Sequence, residues 1–279
     1  MIGFIGLGQI GAPMARRIAK ADPTLLVYDA SPLAVERFSD SGALAAQSLR
    51  GVSEQCDVVS VMVNTDEQVR EVVGELLKYP RSGAVIALHS TIGATTAVEL
   101  NELASKVGVE VVDAPVSGGA MGASQGTLAV MFGGTDAAVQ RCRPVFAHWA
   151  SLVSHFGAVG AGTKAKLARN LLHFTAFSVV GEVVRLAEAA GLSPLELGKV
   201  VRHSDAVTGG PGAIMIRNTS AALDHDDGLR PIFAHTAQLG AKDTSLALEL
   251  AASLGVEMPI ASLASNYLTT ALGLEGPRD

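Results

Sequence analysis

The chain has 279 residues, 48% hydrophobic and 17% charged, with a formal net charge of −6. That length can bury a sizeable core and points to two domains. The acidic balance argues against a nucleic-acid partner, which calls for a basic face, and no unbroken apolar run of about 18 residues signals a membrane span.

The first residues, MIGFIGLG, lack the basic region and cleavage site of a secretory signal. Cys56 and Cys142 stand far apart without metal-ligand spacing, and read as two buried, reduced thiols of a cytoplasmic protein. The seven histidines form neither HxxxH nor HxH pairs, so no metal site is expected.

Apolar runs at 2–6 (IGFIG), 25–29 (LLVYD), 57–63 (DVVSVMV), 84–88 (AVIAL) and 109–113 (VEVVD) read as buried strands. Helical patterns at about 10–20, 32–41, 66–78 and 94–106 separate them. This alternation predicts βαβ units and a doubly wound, largely parallel α/β sheet of Rossmann-like type. Candidate strands 127–132 and 151–156 flank a helix at 135–147 and extend the sheet at one edge.

From residue 163 onward the pattern becomes all-helical, with segments at 163–190, 193–203, 235–254 and 258–273. The loop TGGPG (208–212) and the segment DHDDGLRP (224–231) punctuate them. The first segment reads as one helix of about 28 residues, roughly 42 Å long. Its apolar residues crowd most of the circumference, which suggests burial between domains or subunits. The expected division is 1–158, a dinucleotide-binding domain, and 159–279, an all-helical domain for substrate and oligomerisation. Self-association as a homodimer or homotetramer is expected, because a monomer would expose too much apolar surface.

Gly6-Leu7-Gly8-Gln9-Ile10-Gly11 forms G-x-G-x-x-G directly after the first strand and at the start of a helix. Gly6 permits the turn, Gly8 lets a pyrophosphate approach the backbone, and Gly11 lets helix and strand pack closely. The helix start offers free N–H groups to phosphate. Asp29 closes the second strand, 18 residues after Gly11, and is placed to bind an adenosine ribose. A carboxylate there repels a 2′-phosphate, and the first basic residue after it is Arg37, so NAD is favoured over NADP. The alternative has Ser31 and a swung-in Arg37 accommodating the phosphate.

Two further stretches carry chemistry. DAPVSGG (113–119) follows the fifth strand. Its small residues expose backbone N–H groups that suit a carboxylate, and Ser117 adds a hydroxyl donor; an ordinary surface turn is an equal reading of these residues alone. GAGTKAKLARN (160–170) enters the long helix, its glycines reading as a hinge between domains. Residues four apart share a helix face, so Lys166 and Asn170 point the same way. Lys164 lies about 200° around from Lys166 and should face solvent. His173 continues the Lys166 side, where a satisfied core or interface histidine is the preferred reading.

GLGQIGAPMA (6–15), DAPVSGG, GAGTKAKLARN and AKDTSLALELA (241–251) together resemble the β-hydroxyacid dehydrogenases, which include 3-hydroxyisobutyrate dehydrogenase and tartronate semialdehyde reductase. The resemblance runs over almost the whole chain. It implies a Rossmann-like domain joined by a long helix to an all-helical one. It implies an NAD(P)-dependent oxidoreductase interconverting a small 3-hydroxy acid and its semialdehyde or 3-oxo acid. By the same resemblance Lys166 is the acid–base, Ser117, Gly118 and Gly119 hold the substrate carboxylate, and Asn170 orients the substrate. Lys242 lines the cleft near nicotinamide and substrate, with Asp243 in support, while Asn64, Thr65 and Thr91 lie on loops beside the cofactor.

Three positions depart from the family pattern. Leu88-His89 stands where an acid is frequent in the family, at the end of the strand 84–88. Arg169 replaces an Asn or His before Asn170. His235 replaces an aromatic residue about seven positions before Lys242, with Phe233 two residues earlier. All three are expected on the substrate side of the cleft. The 6-phosphogluconate dehydrogenases share these motifs but have a longer helical portion. Imine reductases share the architecture but commonly carry an acid or tyrosine at the Lys166 position. A non-catalytic dinucleotide-binding module would not need Lys166, Asn170 and Ser117.

Overall fold

The computed structural model describes residues 1–275. Its elements run β1 (Ile2–Ile5), α1 (Gly11–Ala19), β2 (Leu26–Tyr28), α2 (Pro32–Glu36), β3 (Leu44–Ala45), α3 (Leu49–Gln55), β4 (Val58–Val61) and α4 (Asp66–Leu76). Then come β5 (Val85–Leu88), α5 (Ala94–Ser105), β6 (Glu110–Asp113), β7 (Val116–Ser117), α6 (Gly119–Gln125), β8 (Leu128–Gly133), α7 (Asp136–Phe146) and β9 (Ala150–Gly157). The helical remainder is α8 (Ala161–Ala189), α9 (Pro194–Thr208), α10 (Arg230–Ser253), α11 (Pro259–Ser265) and α12 (Leu268–Ala271).

The sheet order is β3-β2-β1-β4-β5-β6, all parallel, the order of a doubly wound dinucleotide-binding sheet. β8 then pairs antiparallel to β6 and β7, and β9 pairs parallel to β8, so both edge candidates extend the sheet. The strands are apolar on both faces because helices cover both: Val85, Ile86, Ala87 and Leu88 of β5 are all buried. Neighbouring residues feed opposite cores. Phe4 packs with Met14, Phe132 and Trp149 on one face, and Ile5 with Val61, Val73 and Leu88 on the other.

Four short elements lack a strong pattern in the sequence. β3 has two residues, and α3 is a seven-residue helix started by Ser48, whose Oγ accepts from Gly51 N. β7 and α6 lie within and just after DAPVSGG. The expected helix 32–41 stops at Glu36 and resumes as a 3₁₀ turn at Ser39–Ser41. The expected helix 258–273 is broken between α11 and α12. α10 begins earlier than its apolar pattern, because Pro231 sits in its first turn, where a missing N–H costs nothing.

One carboxylate joins the sheet to the long helix. Asp113, at the end of β6, is wholly buried. Its Oδ1 accepts from Gly160 N at 2.7 Å and its Oδ2 from Thr163 N at 2.5 Å. These amides belong to the start of α8, where N–H groups have no intrahelical acceptor and the helix dipole favours negative charge. Glycine makes the approach possible. A Cβ on Gly133 would strike the Asp113 carboxylate, and one on Gly162 would strike backbone of Met131 and Asp113. The glycines that read as a hinge in the sequence are therefore clamped: Gly160, at φ +92°, donates to Asp113, and Gly162 is packed against β8.

Compact packing divides the chain within α8, into Met1–Leu171 and a second unit from Leu172 onward. α8 itself is one unbroken helix of 29 residues. The second unit has a small core of Leu223, Phe233, Ala237 and Leu272. In it the buried Glu182 accepts from Ile260 N at 2.8 Å and Ala261 N at 2.9 Å, capping the start of α11.

Replacing Asp113 by Ala strands two buried amides, and should cost about 2–4 kcal/mol of stability. The measurement is the denaturant midpoint of the sheet-bearing unit by circular dichroism; an unchanged midpoint would show that the clamp contributes nothing.

Candidate functional site

The turn after β1 enters α1 as the glycine motif requires. Gly6 has φ +95°, a conformation that disfavours other residues, and a Cβ there would strike Met62 O. A Cβ on Gly11 would strike Gly6 O, so this glycine sets the close approach of turn and helix. Gly8 is exposed, with open space where a Cβ would stand. Gln9 is exposed and Ile10 half-buried as the chain turns into α1.

Asp29 holds this turn directly: its Oδ2 accepts from Leu7 N at 2.7 Å and its Oδ1 from Ser31 N at 2.8 Å. A carboxylate has about four acceptor positions, so capacity remains on the open side. Gly6, Leu7, Gly8, Asp29, Ser31 and Asn64 line one cleft of about 420 Å³ at the C-terminal ends of β1, β2 and β4. That is where the strand order reverses and where dinucleotides bind in such sheets. Tyr28, Ala34, Met62, Gln68 and Glu71 also line it. No motif marks them in the sequence, because they come from a strand end, a loop and two helices that are far apart along the chain.

Asp29 and Glu71 are the charged residues in that lining, and it contains no Lys, Arg or His. Arg37 is exposed, its carbonyl accepts from Arg16 Nη2, and it does not line the cleft. Thr65 is spent otherwise: its Oγ1 accepts from Gln68 N and caps α4. Thr91 is exposed, beside Ser90, whose Oγ donates to Val63 O and so ties the loop after β5 to the loop after β4. The open space at Gly8, the helix start and the acid at Asp29 fit the adenosine and pyrophosphate portion of a dinucleotide.

The second cluster lies around α8. Lys166 is 8% exposed and its Nζ donates to Val116 O at 2.7 Å. The structure thus brings Lys166 beside the segment that contains Ser117. Burial lowers the Lys166 pKa to about 8, and the charge of Arg169 adds to that effect. Lys164 is exposed, as its angular position requires. Asn170 is half-buried and its Oδ1 accepts from Arg169 Nη1.

DAPVSGG is more ordered than an open turn. Val116 and Ser117 pair with β8, and Gly118, at φ +130°, caps α6. Ser117 is half-buried, while Gly118 and Gly119 are exposed. Lys242 belongs to the second unit, on α10, where it is exposed and its Nζ lies 3.1 Å from Asp243 Oδ1.

The expectation for Leu88 and His89 requires correction. Both are buried in the sheet unit rather than on a substrate side. His89 Nδ1 lies 2.9 Å from Ala114 O and Nε2 lies 3.0 Å from Ser60 Oγ. A carbonyl only accepts, so Nδ1 carries the proton and Nε2 accepts from Ser60. The ring packs edge-on against Phe146 and Trp149, and burial lowers its pKa to about 4. Arg169 is exposed, and so is His235, which lies on α10 of the second unit. His173 is half-buried, its ring 4.3 Å from that of Phe177.

Comparison with known proteins agrees along the whole chain. Residues 1–160 match the model for the NAD-binding domain of 6-phosphogluconate dehydrogenase. Residues 160–279 match the model described as NAD-binding of NADP-dependent 3-hydroxyisobutyrate dehydrogenase. An oxidoreductase of Mycobacterium tuberculosis, Rv0770, is 48% identical over 99% of this chain and 94% of its own. The NAD-dependent L-serine dehydrogenase of Pseudomonas aeruginosa is 35% identical, over 94% and 89%. Among solved structures, a putative oxidoreductase from Mycobacterium avium is 48% identical, with TM-score 0.94 over 98% of both chains. An imine reductase from Pseudomonas sp. shares the fold, with TM-score 0.77 at 18% identity over 98% and 94%.

A lysine whose pKa falls from 10.5 to about 8 on folding costs roughly 3 kcal/mol while it is charged. The penalty is complete below about pH 8 and disappears as pH rises to about 10.5, where the unfolded lysine is also neutral. Lys166→Met should therefore raise the denaturation midpoint at pH 7, with the advantage shrinking by pH 10. A variant no more stable than the parent at pH 7 would contradict this account of the site.

Proposed function

Because the chain belongs to the β-hydroxyacid dehydrogenase family, we propose that it interconverts a small 3-hydroxy acid and its semialdehyde or 3-oxo acid, with Lys166 as the acid–base. The observation that carries this reading is the buried Lys166 ammonium hydrogen-bonded to Val116 O, one residue before Ser117, on a helix pinned to the sheet by Asp113.

A free lysine, with pKa of about 10.4, is a poor base near neutrality. At about 8, Lys166 has an appreciable neutral fraction near the pH of the cell and can take the hydroxyl proton; in reverse its ammonium protonates the forming alkoxide. Ser117, Gly118 and Gly119 hold the substrate carboxylate, and Asn170 orients the hydroxyl carbon, so reacting groups meet in a fixed geometry. The family resemblance assigns Lys242 to substrate and cofactor binding, with Asp243 in support. The dinucleotide, when bound, supplies the hydride acceptor or donor. Gly6, Leu7, Gly8, Gln9, Ile10 and Gly11 cradle it, Asp29 takes its ribose, and Asn64, Thr65 and Thr91 lie along it.

NAD is favoured over NADP: the cleft offers Asp29 and Glu71 to a 2′-phosphate, and no cation among its lining residues. Residence in the cytoplasm accords with the two free, buried cysteines. Self-association as a homodimer or homotetramer accords with exposed Phe174, Phe177, Leu195 and Val207 in the second unit. Imine reduction is the second reading on fold alone, and the lysine at 166 speaks against it.

In the oxidative direction kcat/KM should rise with pH through an apparent pKa of about 8. Lys166→Ala should lose about 10²–10⁴-fold in kcat while still binding NAD; near-normal turnover would remove the lysine from the mechanism. A spectrophotometric panel of 3-hydroxy acids, semialdehydes and cyclic imines with each dinucleotide should show higher kcat/KM with NAD. Turnover of the imines alone would replace this reading with the second one.

A further inference from the structure

Lys166 has a second cation for a neighbour. Arg169 follows it by three residues, so both side chains rise from one side of α8, about 4.5 Å apart along the axis. Arg16, Arg50, Arg70 and Arg81 each hold a carboxylate. Arg169 is exposed and, among the described residues, forms no ion pair; its guanidinium donates to the neutral Asn170 Oδ1 at 3.3 Å.

That bond has a consequence for the surface it leaves. It uses one lone pair of Asn170 Oδ1 and leaves the amide N–H₂ free to donate. Lys166 gives one proton to Val116 O and keeps two more donors. Lys166, Arg169 and Asn170 therefore present donors and two positive charges, with no acid among them. Like charges one turn apart on a helix repel, and the effect reaches Lys166, whose pKa the Arg169 charge depresses. Among the described residues neither Lys166 nor Arg169 forms an ion pair with a carboxylate, so the patch is open to an anionic ligand.

We propose that Arg169 determines specificity by binding a second anionic group of the substrate, so that the preferred 3-hydroxy acid is a dianion. One carboxylate sits at Ser117–Gly119, and the other anion, a carboxylate or a phosphate, meets the guanidinium, whose planar fork matches either in two parallel hydrogen bonds. The proposal rests on the reading of Lys166 as acid–base given above.

The test uses the full-length protein and its preferred dinucleotide with three alcohols: 3-hydroxybutanoate, 3-hydroxypentanedioate and 3,4-dihydroxybutanoate 4-(methyl phosphate), whose phosphodiester carries a single charge. The readout is the ratio of kcat/KM for each dianion to that for the monoanion at one pH, in which any change in Lys166 basicity cancels. The wild type should favour at least one dianion, and which one tells carboxylate from phosphate. Arg169→Gln should cut that ratio about ten- to a hundredfold, mainly through KM. Arg169→Lys should keep part of it, retaining the charge without the fork. Turnover of 3-hydroxybutanoate with no dianion preference, or a ratio unmoved by Arg169→Gln, overturns this proposal and leaves the acid–base reading standing. No turnover of any of the three overturns both.

Discussion

The carboxylate of Asp113 is the constraint on which the rest depends. A wholly buried charge is costly unless its lone pairs are satisfied, and Asp113 meets that condition with two backbone amides and the positive end of α8. Because the carboxylate ends β6 and the amides begin α8, the bond sets the position of the start of that helix on the sheet. Lys166 lies one turn beyond Thr163 on that helix, and Val116 lies three residues beyond Asp113 on the strand side. The Lys166–Val116 hydrogen bond thus closes a loop whose other closure is the Asp113 clamp. Glu182 repeats the device in the second unit, where it caps α11.

The two chemical regions of the first unit differ in electrostatic character. The cofactor cleft is acidic and open, its shape set by glycines and by Asp29 bridging Leu7 N and Ser31 N. The α8 region is cationic, and it holds a lysine in an environment that penalises its charge. The first arrangement is open to water and suits the polar groups of a large ligand. The second is destabilising in the folded state, which is the usual mark of a side chain placed for chemistry rather than for packing.

Much of this was legible in the sequence because its signals are local. G-x-G-x-x-G after a strand and an acid closing the next strand each carry a physical meaning at fixed spacing, and the strands and α8 announce themselves by composition. What could not be read was non-local. His89 is one residue past β5, the position expected to face substrate, yet partners from β4 and from the residue after β6 draw it inward. The hinge reading of Gly160 and Gly162 left out that glycine signals freedom in a sequence and also permits close packing, and Asp113, 47 residues from Gly160, takes up the Gly160 amide. β3, α3, β7 and α6 are short and rich in small or polar residues, so neither periodicity nor propensity marks them.

The Asp113 and Glu182 clamps share one property with a long-range consequence. Each grips main-chain amides and not side chains: those of residues 160 and 163 in one case, 260 and 261 in the other. The grip is blind to what the captured helix displays, apart from the glycines that let it approach. Positions such as 169 and 170 on α8 are thereby released from structural duty, and can diverge while the frame that presents them stays fixed. A framework held in this way lets selection retune what is recognised one residue at a time, without first having to rebuild the protein that does the recognising.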